Sequence, residues 1–219
     1  MFRVTESDNA ETLSDTPLRA VDLECIRGDR VLFSGLNLSL STGQLLQIEG
    51  ANGAGKTSLL RVLAGLSRPS EGAVLWREAD IQRQRTAYLG EMLYLGHAPG
   101  LKAELSPLEN LRVATALRDV PTDPDRIEAA LDRVGLRGFE EVPARGLSAG
   151  QRQRTALCRL LLCPALLWIL DEPFTALDLG GIRLVRELLE DHLAAGGMAL
   201  LTSHHGLEVR GECRNLFLS

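Results

Sequence analysis

The chain has 219 residues, of which 45% are hydrophobic and 24% charged, with a formal net charge of −5. That length can bury a sizeable core, the composition is that of an ordinary globular protein, and the negative balance opposes a role in neutralising a nucleic-acid backbone. No apolar run reaches the roughly 20 residues needed to span a bilayer, the most apolar one, Leu160 to Leu170, being broken by Pro164.

Residues 1–17 are polar, carry four acidic side chains and end at Pro17. They read as a disordered leader, and they lack the apolar stretch of a secretion signal. From Leu18, the alternations Leu18-x-Ala20-x-Asp22 and Leu36-x-Leu38-x-Leu40 predict antiparallel strands joined by a turn at Gly28-Asp29. A strand over Leu45 to Glu49 then delivers Gly50-Ala51-Asn52-Gly53-Ala54-Gly55-Lys56-Thr57, followed by a helix that begins near Ser58 and runs to about Leu66. This octet fits the G-x-x-x-x-G-K-[ST] phosphate loop. Its glycines let successive N–H groups turn toward a phosphate, Lys56 reaches the β- and γ-oxygens, and Thr57 offers a hydroxyl to Mg²⁺. A helix opening at the same place adds its N-terminal partial positive charge. A short strand, Ala73 to Trp76, follows.

Residues from about 97 to 160 read as mostly helical, punctuated by Pro99-Gly100, Pro107, Pro121 to Pro124 and Pro143 to Gly146. Within them, Arg126 to Val134 places apolar residues at helical spacing, as a core-facing stripe does. The run Ala165 to Leu170 reads as a strand buried on both faces, ending in Asp171-Glu172-Pro173, and a further strand is expected over Met198 to Thr202. Carboxylates at the C-terminal end of a buried parallel strand sit where nucleotide chemistry is placed. Asp171 is the expected Mg²⁺ partner and Glu172 the expected polariser of attacking water. Cys25, Cys158, Cys163 and Cys213 are scattered, without C-x-x-C pairs, and read as reduced thiols.

Leu147-Ser148-Ala149-Gly150-Gln151, followed by Arg152-Gln153-Arg154, resembles the signature of ATP-binding cassette proteins, with Ala149 in place of the usual glycine. Read alone, Ser148 caps a helix and Gly150 permits close backbone approach, so the loop can present donors to a phosphate. The resemblance covers roughly residues 18 to 210 and implies an α/β ABC ATPase fold: a P-loop RecA-like core, an antiparallel β subdomain and an inserted helical lobe at about 97–160, within one domain over 18–219. It also implies that residues 148–151 face the γ-phosphate held by a second copy, so that ATP and Mg²⁺ are sandwiched in a dimer. Ala176-Leu177-Asp178 resembles the family's D-loop. Leu200 to His204 resembles its switch segment, with His204 favoured over His205 as the γ-phosphate contact.

Two positions depart from the family. His97 occupies the slot of a glutamine near the metal and water, which makes it a candidate metal ligand whose charge responds to pH. Arg27 stands where an aromatic residue usually stacks on adenine; its guanidinium can stack on a base, and a surface arginine is the equal alternative. Both departures, with phrases such as Tyr94-Leu95-Gly96-His97 and Leu167 to Pro173, resemble the ATP-binding subunits of bacterial cytochrome c maturation (haem exporter) systems. That resemblance implies a peripheral subunit on the cytoplasmic face of the inner membrane, bound to integral membrane partners, acting on haem export or on release of a haem-loaded chaperone, and binding no nucleic acid. An ABC ATPase with another cargo and a soluble ABC ATPase are the alternatives.

Overall fold

The computed structural model describes residues 16–203 and 209–219; residues 1–15 and 204–208, His204 and His205 among them, lie outside the described residues. Thr16 and Pro17 are already tied to the fold, since the Pro17 carbonyl accepts from Arg77 N at 2.7 Å and the Thr16 and Ser41 hydroxyls lie 3.3 Å apart.

Strands β1 (Leu18–Arg27) and β2 (Arg30–Leu40) form the expected hairpin around Gly28-Asp29, and β1 also pairs antiparallel with β4 (Glu71–Trp76), which is edged by β5 (Ala79–Asp80). The second sheet is parallel. It contains β3 (Gln44–Gly50), β6 (Met92–Leu95), β7 (Leu167–Asp171), β8 (Met198–Thr202) and β9 (Glu212–Leu218), in the order β6-β7-β8-β3-β9.

The two-residue period of a strand divides this sheet between two cores. Leu46, Ile48, Leu167, Ile169, Met198 and Leu200 pack with helix α1 (Lys56–Leu63) and the antiparallel sheet. Their neighbours Leu45, Trp168, Leu170, Ala199 and Leu201 pack on the other face with helices α3 (Pro107–Ala116), α4 (Pro124–Arg133), α5 (Ala149–Leu162) and α6 (Leu179–Ala194). With both faces covered, β7 and β8 are buried throughout, which is why they read as unbroken apolar runs.

The first helix is shorter than its periodicity suggests. Gly65, at φ +67°, reverses the chain so that Gly65 N and Leu66 N donate to the carbonyls of Val62 and Arg61, closing the helix after Leu63. Inside the 97–160 segment the helices begin only at Pro107, where Ser106 and Glu109 make a reciprocal capping box. Asp123 caps α4 with a single bond, its Oδ1 accepting from Arg126 N, with Pro124 in the first turn. The short helix α2 (Arg85–Glu91) and strands β5, β6 and β9 add to the expected elements.

Candidate functional site

The phosphate loop leaves β3 at its C-terminal end. Gly50 has φ +148° and lies so close to β9 that a Cβ there would sit 2.3 Å from the Leu218 carbonyl oxygen. Gly53 and Gly55 also take positive φ, +81° and +97°. The loop therefore curls, and the buried Lys56 reaches back across it, donating from Nζ to the carbonyls of Gly50 at 2.8 Å and Ala51 at 3.2 Å. Helix α1 begins after Gly55 with no side-chain cap, so its first-turn amides are left for a ligand. Asn52, Gly53, Gly55, Lys56, Thr57 and Ser58 line a cavity of about 240 Å³, completed by Leu32 from β2 and by Glu172. Ala51 is exposed beside it, while Ala54 is buried beneath the loop, its N–H donating to the Ala51 carbonyl.

Glu172 arrives there because β7 ends one residue earlier. Asp171 is 2% exposed, and its Oδ1 accepts from Thr202 Oγ1 at 2.8 Å; the same hydroxyl oxygen accepts from Glu172 N at 2.8 Å. The parallel register that pairs Asp171 with Thr202 produces this bridge. Asp171 Oδ2 is buried with no hydrogen-bond partner among the described residues. A buried carboxylate oxygen left unpaired is costly, and it fits a carboxylate whose remaining lone pairs are meant for a cation or its water shell. With the exposed Thr57 hydroxyl at the start of α1, the donor set suits a hard, oxygen-loving ion such as Mg²⁺. The charge of Asp171 reaches Tyr94 on β6, whose phenol is pushed up first by burial and then by that carboxylate, against the opposing pull of Arg61.

Residues 148–151 take the predicted conformation. Ser148 caps α5, its Oγ accepting from Gln151 N at 3.2 Å while Gln151 Oε1 accepts from Ser148 N at 2.9 Å. Ser148 and Ala149 are exposed, and none of the four residues lines the cavity over the phosphate loop. Within one chain, residues 148–151 are thus separate from the phosphate loop. A Cβ on Gly150 would lie 2.7 Å from the Ala176 carbonyl oxygen, so this glycine lets α5 approach the segment after Glu172. Gln153 Nε2 donates to the Pro173 carbonyl at 3.0 Å, and Arg154 pairs with Asp178, the N-cap of α6. The Gly181 N–H, followed by Arg154, holds the Asp178 carboxyl below its ordinary range.

The family matched over residues 33–175 is described as ABC transporter. Over 207 residues, 94% of this chain and 100% of the relative, the sequence is 76% identical to the cytochrome c biogenesis ATP-binding export protein CcmA of Methylococcus capsulatus. The chain belongs to the cytochrome c biogenesis ATP-binding export proteins of the ABC transporter family. The corresponding protein of Nitrosospira multiformis is 50% identical over 89% of this chain and 94% of its own. Among solved structures, a dimeric ATP-binding cassette in a post-hydrolysis state, bound to ADP and Pi, superposes with a TM-score of 0.73 over 86% of this chain and 88% of its own; at 21% identity it speaks for the fold alone.

In this ABC ATPase the two departures from the usual motif set fall differently. Arg27 is exposed at the end of β1, and its cross-strand partner Arg30 is the arginine that nears the phosphate loop, with Nη1 4.0 Å from where a Cβ on Gly53 would be. His97 is placed against Glu172, with Nδ1 3.6 Å from Oε2. Among the described residues no group of three His, Cys, Asp or Glu side chains is arranged to hold a metal ion. Sequence reasoning missed Thr202, Leu32 and Arg30. Thr202 reads in the sequence only as part of the switch segment, without a role of its own, and the two β2 residues reach the loop through tertiary packing.

Proposed function

We propose that this chain is the ATP-hydrolysing subunit of a membrane ABC complex for cytochrome c biogenesis, coupling hydrolysis to haem export or to release of a haem-loaded chaperone. The observation that carries the ATPase reading is the shared cavity: phosphate loop and Glu172 line one space, with the unpaired Asp171 oxygen at the preceding position. Lys56 and the open amides of α1 bind and orient the phosphates, and Glu172 polarises the attacking water. Thr57 and Asp171 would hold Mg²⁺, which when bound would neutralise charge on the phosphates. His204 contacts the γ-phosphate, Arg27 lies against the base, and Ser148, Ala149, Gly150 and Gln151 close over the nucleotide of a second copy.

The names of the relatives support the biological assignment, and family membership supports integral membrane partners that seat the subunit on the cytoplasmic face of the inner membrane. No helix among the described residues is long and apolar enough to cross a membrane. Cells carrying Lys56→Ala are expected to lose mature c-type cytochromes while the periplasmic chaperone still acquires haem. Haem staining of membrane and periplasmic fractions measures both; normal cytochrome maturation in that strain would overturn the biological assignment and leave the ATPase reading standing.

A further inference from the structure

Strands β6 and β7 are adjacent and parallel, with Leu95 in register with Leu170. His97 comes two residues after the end of β6 and Glu172 one residue after the end of β7, so the register delivers the two chain segments side by side as they leave the sheet. Their approach is 3.6 Å, from His97 Nδ1 to Glu172 Oε2, and Thr175 Oγ1 lies 3.4 Å from the same oxygen. Each member is held from below. The Glu172 backbone takes φ +52°, costly for a residue with a Cβ, and its N–H is fixed by Thr202. Gly96 brings the loop down onto Tyr94, since a Cβ at Gly96 would lie 3.0 Å from the Tyr94 ring.

We infer that His97 is a positioning residue for Glu172, holding the carboxylate by Oε2 in the orientation that polarises water, instead of a ligand to the metal. The inference rests on the ATPase reading of Glu172. A 3.6 Å contact exceeds hydrogen-bond length, and contacts of this kind commonly tighten when the substrate is bound. His97 is largely exposed, so replacing it leaves the core untouched.

The test is a double-mutant cycle on the purified full-length chain with ATP and Mg²⁺, read by steady-state and single-turnover hydrolysis. His97→Ala is expected to lower kcat about tenfold, the scale of one short-range coupling, with KM for ATP and the Mg²⁺ half-saturation within about twofold of wild type. In the Glu172→Gln background the same change is expected to do nothing further. His97→Asn, which keeps a donor near the place of Nδ1, should recover more turnover than His97→Gln, whose amide nitrogen falls nearer the place of Nε2. Losses that multiply in the double variant, a raised Mg²⁺ requirement in His97→Ala, or equal rescue by Asn and Gln would each overturn the inference. If the wild-type chain hydrolyses no ATP, the ATPase reading falls and takes this inference with it; a hydrolysing wild type without coupling sinks the inference alone.

Discussion

Two helices in this molecule begin at loops that carry nucleotide-binding motifs, and they begin differently. Helix α1 follows Gly55 with no side-chain cap, under a loop opened by three glycines at positive φ. Helix α5 follows Ser148 with both arms of a capping box in place. A capping box satisfies donors that would otherwise seek a partner, and it contributes on the order of 1 kcal/mol to the helix. The first helix therefore leaves its N-terminus for a ligand to complete, whereas the second is finished within its own chain and keeps only the amides of its first residues to offer. The difference suits one loop that binds nucleotide in the monomer and another that closes on nucleotide held by a second copy.

The largest expected effect lies where the open loop meets the chemistry. Glu172→Gln should bind ATP, accumulate as an ATP-bound dimer and lose about three orders of magnitude in turnover, measured by phosphate release and light scattering. Wild-type turnover in that variant would remove Glu172 from the mechanism.

A pair of glycine substitutions separates the two helix starts. Gly55→Ala puts a Cβ at φ +97° and 3.1 Å from Leu32 Cβ, and should weaken ATP binding by the monomer about tenfold. Gly150→Ala forces α5 against the Ala176 carbonyl, 2.7 Å from the added carbon. Turnover should fall by about tenfold while monomer binding of a fluorescent nucleotide stays unchanged. If both variants lose monomer binding alike, the division of labour between the loops is wrong.

The elements that carry this comparison were legible because their chemistry is local. Gly50 to Thr57 must bend and ends in Lys56-Thr57, Ser148 three residues before Gln151 announces a capped helix, and Ala165 to Leu170 reads as a strand buried on both faces, which the fold forms as Leu167–Asp171. Strand β8 fell on its expected bounds for the same reason. Strand β9 was not legible, since Glu212 to Leu218 alternates exposed and buried residues weakly and owes its place to pairing with β3. The four-residue β6 was hidden in the same way, although its register decides where His97 goes. The Thr202 bridge depends on strand order, which no residue pattern states. The smallest expected effect belongs to the closed loop. Ser148→Ala should cost roughly 1 kcal/mol of stability through the lost cap, seen as a lower melting temperature, with ATP binding by the monomer intact.

The central claim is that a working site takes its phosphate loop from one copy and residues 148–151 from another. Ser148→Arg and Lys56→Ala each spoil both sites of a homodimer, one through the closing loop and one through the phosphate loop. Mixed together, they can form a heterodimer in which one site has both halves intact. ATP hydrolysis by the mixture, compared with each variant alone at the same total concentration, should recover to a clear fraction of wild type. A mixture no more active than its two components would contradict the account.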